Sequence, residues 1–230
     1  MDFHDPVAAG LHLGFAVWCL FAGAFLIRWT RRHPPGHRIA VAVYAVSAVT
    51  LYTCSGLFHS LRYDSEQDPQ FEFFRRLDLS AVFGLIVGSC IPTFVYVLPK
   101  WWMRAGVATE LAMGTTGIAL VWSMQEVVTQ TLILVFVGMG LIAVVPAHHF
   151  YRRLGGRAMA LIFCFASLYV AGAVVQALKW PVLIPGLIGY HEILHLCDMT
   201  ATLLHFILLV KYALPLAKRT PAPARALAVR

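Results

Sequence analysis

Residues 187–210 read LIGYHEILHLCDMTATLLHFILLV, and this stretch decides the fold class. It is as long as a bilayer-spanning helix, which needs roughly 20 mostly apolar residues. It also carries His191, His195, Asp198 and His205. Ionisable groups are costly in hydrocarbon and mark function by default. His191 and His195 are four residues apart, so on a helix they point the same way. The rest of the chain agrees with a membrane reading. Its 230 residues are 60% hydrophobic and 13% charged, with a mean hydropathy of +0.74. An ordinary soluble domain is about 45–50% apolar and about 25% charged. One soluble core of this size could not hide the surplus. Disorder, collagen, a disulfide scaffold and a nucleic-acid-binding domain are excluded with it. The expectation is an all-α polytopic membrane protein, a seven-transmembrane-helix bundle.

Seven apolar stretches can be counted, at about 7–27, 39–61, 77–98, 104–123, 127–147, 157–177 and 187–210. Polar segments such as RWTRRHPPGHR and HHFYRRLGG separate most of them, and Ser123, Gln125 and Glu126 mark the weakest break. The membrane domain is expected over 1–210, with a disordered Pro-, Ala- and Arg-rich tail over 211–230. No Lys or Arg precedes the first apolar run, so that run reads as a retained helix rather than a signal peptide. Five scattered cysteines without a CxxC pair read as small core residues. The pairs Gly10/Gly14 and Gly84/Gly88 read as small-xxx-small packing sites.

The net charge is +7. With seven spans, the side holding the N-terminus carries 4 Lys+Arg and the other side 14. The positive-inside rule then places the N-terminus outside and the C-terminus in the cytoplasm of a plasma or inner membrane. The basic excess belongs to cytoplasmic loops, not to a nucleic-acid face.

Alternating direction brings the end of the second span, the start of the third and the start of the seventh to one membrane face. His59, Asp78, His191 and His195 therefore share a depth. Ser55 lies one turn deeper than His59 on the same helical face. Three neutral imidazoles with an open position suit a catalytic Zn2+, which brings a bound water to a pKa of about 7. A carboxylate nearby can take the proton. The competing reading is a hydrogen-bonded polar layer between helices. HEILH also matches the H-E-x-x-H zinc-protease motif, with Glu192 as base. Against that, Ala201 stands where the longer motif wants a histidine, and no acidic ligand follows in a later span. Glu110 is expected to be paired internally, His205 to be structural, and His148 and His149 to lie in a solvated basic loop. His12 is given no role.

SGLFH (55–59), RRLD (75–78) followed by GSCIPTF (88–94), and GYHEILHLCDMTATLLHF (189–206) resemble the hemolysin III and progestin/adiponectin receptor (PAQR) family. That family belongs to a wider membrane-hydrolase superfamily that includes alkaline ceramidases. The resemblance extends over essentially the whole chain. It implies a seven-helix fold with zinc on His59, His191 and His195. It implies Asp78 as the residue that holds or activates the attacking water, with Ser55 orienting that water or an oxyanion. It also implies a membrane lipid as substrate or ligand, with a lipid amide the expected scissile group. A receptor or membrane-homeostasis protein with a structural zinc is the alternative. A pore-forming hemolysin is disfavoured, because no water-soluble amphipathic form is evident. Two features depart from the family. The charge bias puts the metal end outside, where the family has it cytoplasmic. Asp198 stands one turn past His195 where an apolar residue is expected, and either orients a ligand histidine or bonds a neighbouring helix.

Overall fold

A computed structural model describes residues 5–63, 65, 68–124, 129–142, 144–185 and 187–218. The chain is an all-α polytopic membrane protein. Its helices are α1 (Pro6–Thr30), α2 (Pro35–Ser60), α3 (Pro69–Val97), α4 (Lys100–Ser123), α5 (Thr129–Ile142), α6 (Ala147–Leu154), α7 (Gly156–Leu178) and α8 (Tyr190–Leu208). Six of the described helices are long and apolar enough to cross a bilayer. A seventh span follows if Leu134–Ile142 and α6, bent by 53° at their break, are taken as one crossing. His148 and His149 thus stand in a short helix, α6, rather than a loop. Residues 125–128 and 143 of the weakest break and the fifth expected span lie outside the described residues.

Local sequence explains several helix starts. Asp5-Pro6 and Asp68-Pro69 repeat one device. The Asp5 carboxylate accepts from the Ala8 backbone N–H at 3.0 Å, and that of Asp68 from Gln70 at 2.8 Å. The following proline occupies the first helical position, where no N–H is needed. At α8 the Glu192 carboxylate reaches back to the Gly189 N–H at 2.6 Å, half of a capping box. That engagement gives Glu192 a structural job.

The helices are unequal. In α3, 61% of the most apolar window is buried; in α7 it is 11%. α3 is therefore the centre of the bundle and α7 lies at its periphery. Lipid tails are as apolar as leucine, so close packing and interhelical hydrogen bonds hold such helices together. The main core joins Tyr44 and Tyr52 of α2 with Phe94 and Tyr96 of α3. A second core, around Phe83, Val87 and Val121, joins α3 to α4. Of the glycine pairs, only Gly88 marks a close approach. A methyl there would stand 2.8 Å from the Ser47 Cβ, whereas Gly10, Gly14 and Gly84 face open space.

Beyond Val210 the chain stays helical, as a π turn over Leu209–Ala213 and a 3-10 turn over Leu214–Lys218. Fully buried Leu209, Ala213 and Leu214 anchor it. The expected tail therefore does not begin at 211; residues 219–230 lie outside the described residues.

Candidate metal centre

The end of α2 and the starts of α1, α3 and α8 meet at one end of the bundle. They bring four imidazoles together. His59 lies 5.0 Å from His191 and 5.2 Å from His195, measured between ring centroids. His191 and His195 are 4.3 Å apart, and their Nε2 atoms approach to 3.0 Å. The fourth ring is His12 of α1, 4.2 Å from His195 and 5.7 Å from His59. His12, His59 and His195 are all buried.

Among the described residues, two ligand triplets have donor atoms within 4.8 Å of one another: His12, His59 and His195, and Asp5, His59 and His191. The donors suit a metal ion. Neutral imidazoles in a buried site offer lone pairs without bringing charge. Two Nε2 atoms at 3.0 Å can make a hydrogen bond only if one of them carries the proton. A tetrahedral ion with bonds of about 2.0–2.1 Å would separate ligand nitrogens by only slightly more. The His12 Nδ1 atom is buried with no hydrogen-bond partner among the described residues. Buried polar atoms are nearly always satisfied, so a bare nitrogen facing other imidazoles needs an account.

Partners orient these rings. The Gln176 side-chain oxygen of α7 lies 3.4 Å from His191 Nδ1, and Ser55 Oγ lies 3.2 Å from His12 Nε2. Ser55 also lies close to the Asp78 carboxyl, whose Oδ1 is buried without a partner among the described residues. Ser55 thus stands between Asp78 and His12. The Asp198 charge lies near Asp78 and near the Tyr52 and Tyr169 hydroxyls. Below it, Thr202 Oγ1 is shared by Tyr52 at 2.8 Å and Tyr169 at 3.2 Å. This hydroxyl layer ties α2, α7 and α8 together beneath the imidazoles.

At the rim, Phe58 packs on His59 at 5.0 Å, and Tyr63 donates to the Phe58 carbonyl at 3.1 Å. Burial, with the Asp68 carboxylate behind it, pushes the Tyr63 hydroxyl up to about 12, so it remains a donor. Arg76 forms an ion pair with Glu72 at 2.7 Å and donates to the Val121 and Met124 carbonyls at the end of α4.

The expected site residues His59, His191, His195, Asp78, Ser55 and Asp198 stand at this end of the bundle, but the expected ligand trio His59, His191 and His195 is divided between the two triplets and forms neither of them. His12, Asp5 and Gln176 were missed. His12 could have been found by the same depth argument. It lies about two turns into α1, on the face where α2 ends and α8 begins. Two other expectations fare differently. His205 is structural in character, 3.1 Å from Thr93 Oγ1 and edge-on to Tyr44. Glu110 is fully buried beside the Cys90 thiol, but neither carboxylate oxygen has a well-formed hydrogen bond among the described residues.

Residues 3–206 match the family model described as haemolysin-III related. The chain belongs to that family. Two relatives give it breadth. Hemolysin-3 of Bacillus cereus is 28% identical over 181 residues, covering 78% of this chain and 77% of that protein. Progestin and adipoQ receptor-like protein 1 of Caenorhabditis elegans is 26% identical over 205 residues, covering 79% of this chain and 46% of that longer protein. This haemolysin-III-related chain therefore presents, at one end of a membrane bundle, buried histidine groups that could hold a metal ion.

Proposed function

We propose that this protein is an integral-membrane, zinc-dependent hydrolase of a lipid amide. The observation that carries the reading is the convergence of four imidazoles with Asp78 at one end of the bundle. Histidine, carboxylate and water ligands with an open position favour zinc among common ions. When bound, zinc would polarise the scissile carbonyl and lower the pKa of the attacking water to about 7.

The chain's own residues do the rest. Asp78 accepts the proton of the attacking water and returns it to the departing amine, so water and amide become acid and amine. Ser55 Oγ, between Asp78 and His12, holds the carboxyl in place or donates to the developing oxyanion. The substrate arrives from the side. An apolar groove of about 620 Å³ runs along the α2–α3 seam, from Ile39 past Val46 and Gly84 to Cys54 and Leu77. Its lining residues Cys54 and Leu77 are the chain neighbours of Ser55 and Asp78. Along α2 it covers about 22 Å of rise, most of a hydrocarbon core of about 30 Å, which fits an acyl chain.

We place the site on the outer face. The support is the Lys+Arg count, 4 on that side against 14 on the other. A receptor with a structural metal is the second reading, favoured by the name of the nematode relative. Metal analysis of detergent-purified protein beside His191→Ala plus His195→Ala, followed by a lipid-amide hydrolysis screen, separates them. About one zinc per chain, with fatty acid released, supports the hydrolase. Zinc without cleavage of any lipid supports the receptor, and no zinc overturns both.

A further inference from the structure

The end of the bundle opposite the imidazoles is cationic throughout. His33 of the α1–α2 turn meets Tyr96 near the end of α3, and Arg153 of α6 donates to the Val97 carbonyl, so these segments lie together. The stretches that form this end or lead on from it are 28–38, 98–104, 146–157 and 209–230. They carry 14 Lys+Arg and no Asp or Glu. The acidic residue nearest to them along the chain is Glu110, fully buried and more than a turn deeper in α4 than Arg104. Such a surface lacks its counter-charge within the chain.

Part of that surface is concave. A pocket of about 640 Å³ lies between the last turns of α1, the turn into α2 and the 3-10 turn Leu214–Lys218. Arg28, Arg31 and Arg32 line it, with Phe25, Trp29 and Ala217. Arg31 keeps helical backbone angles at the end of α1, and positions 28, 31 and 32 are i, i+3 and i+4, so these side chains share a side. All three are exposed, and among the described residues none forms an ion pair. We propose that this pocket binds the phosphate headgroup of an anionic glycerophospholipid.

The negative end of the α1 dipole amounts to about half a charge. Set against three guanidiniums, it leaves most of the positive charge unanswered. A guanidinium offers its N–H groups in a planar fork that matches phosphate oxygens. Basic pockets at the ends of membrane helices recognise anionic headgroups in this way. The aromatic wall selects a lipid over a soluble phosphate. Phe25 and Trp29, one turn apart and edge-on at 5.2 Å, extend the pocket toward the middle of the bundle, and Phe25 is exposed there. A headgroup held by the arginines would lay its acyl chains beside Phe25.

The turn that carries Arg31 and Arg32 is fixed. The backbone N–H of buried His33 donates to the Thr30 carbonyl at 2.8 Å, and its Nδ1 lies 2.8 Å from Tyr96 OH. Pro34 and Pro35 follow and restrict the backbone further. Little ordering is then left for binding to impose. The metal plays no part, since Arg28 lies about 24 Å along α1 from His12.

The test titrates full-length protein in detergent with phosphatidylglycerol, using phosphatidylcholine as the zwitterionic control, and follows the thermal transition. Its concentration dependence yields the apparent affinity. Two triple variants are compared. Arg28→Gln, Arg31→Gln and Arg32→Gln together discharge the pocket. Arg104→Gln, Arg152→Gln and Arg157→Gln together remove the same charge from exposed arginines elsewhere at that end. Wild type should prefer phosphatidylglycerol by about tenfold or more, the pocket triple should lose that preference, and the other triple should keep it within about threefold. A second measurement needs no arginine variant. Phosphatidylglycerol with brominated acyl chains should quench Trp29, read as the difference between wild type and Trp29→Phe, more than brominated phosphatidylcholine does. Equal losses in the two triples would reduce the attraction to diffuse surface charge and remove the pocket. Equal affinity of wild type for the two lipids, with equal quenching, would remove the anionic ligand. If inorganic phosphate at the same concentration stabilises wild type as much as phosphatidylglycerol does, the occupant is a soluble anion and the lipid proposal falls.

Discussion

At one end of the bundle His12, His59, His191 and His195 face one another; deeper in the bundle and at its far end, His205 and His33 each face a hydroxyl. His205 Nε2 lies 3.1 Å from Thr93 Oγ1, and His33 Nδ1 lies 2.8 Å from Tyr96 OH. All but the half-buried His191 are buried, and all are equally histidine to a reader of the sequence. His12 faces a hydroxyl as well, Ser55 Oγ at 3.2 Å, and His12 Nδ1 and His205 Nδ1 both lack a partner among the described residues, so the difference lies in the other imidazoles around the first group. A hydroxyl can donate or accept, so it satisfies the one ring nitrogen it faces in either tautomer. Another imidazole satisfies it only when the two carry opposite roles. A ring of imidazoles is therefore a poor helix-packing device and a good ligand set. Burial alone says little about function; what stands opposite the buried group says more.

The largest expected effect comes at His59, the residue shared by both triplets. His59→Ala should abolish metal binding and any hydrolysis that depends on it, as read by metal content of the purified protein. It should also erase stabilisation by added zinc, which for a saturated site reaches about 2.7 kcal/mol at 100 times Kd. His205→Ala should leave metal content at the wild-type value. If His205→Ala strips the metal instead, the division into two groups is wrong.

Next in size is Asp78. Asp78→Asn keeps shape and hydrogen bonding but cannot take a proton. Lipid-amide turnover should fall by about 10²–10⁴, the usual worth of a positioned general base, while metal content stays near wild type. Equal loss of metal and turnover would make Asp78 a structural part of the cluster rather than its base.

The α2–α3 groove sharpens the comparison from the substrate side. Gly84 lines the groove and a Cβ added there meets no neighbour, so Gly84→Leu places its side chain in the groove. KM for a long-chain amide should rise about tenfold, within the range that one or two methylenes are worth in an apolar pocket. A short-chain substrate and the metal content should be little affected. An equal rise for both chain lengths would remove the groove from the acyl path.

Much of this was legible in the sequence, for identifiable reasons. HEILH states its own geometry, because four residues is one turn. His59 and Asp78 follow from counting spans and noting direction. The family motifs covered the same residues. His12 was passed over because it stands alone in α1, with no second polar residue at helical spacing to draw attention to it. The hydroxyl layer of Tyr52, Tyr169 and Thr202 was illegible, since it needs the register between three helices and each residue alone is ordinary in an apolar run. The glycine pairs misled for the same reason. Spacing says that two glycines share a face, but not whether another helix lies against it, and only at Gly88 does Ser47 come close. The continuation of the last helix to Lys218 was hidden by a basic, proline-containing composition, although Leu209, Ala213 and Leu214 are fully buried.

The smallest effect tests the hydroxyl-facing group directly. Thr93→Val exchanges a hydroxyl for a methyl and leaves His205 Nε2 without its 3.1 Å partner. In water-soluble cores an orphaned buried nitrogen costs about 1–3 kcal/mol. Between membrane helices the measured worth is lower, about 0.6 kcal/mol on average and about 1.7 at most, because the unfolded chain in the bilayer also finds partners. His205 is ringed by Tyr44 and Phe165, at 5.1 and 5.3 Å, which leaves little room for water to replace the hydroxyl. The expected loss therefore lies near the upper membrane value, read as a small drop in the thermal transition in detergent. Metal content, cobalt spectrum and turnover should not move, because His205 lies about three turns from His195 along α8. If Thr93→Val alters the cobalt spectrum, the two groups of histidines are coupled through α8, and His205 belongs to the metal centre after all.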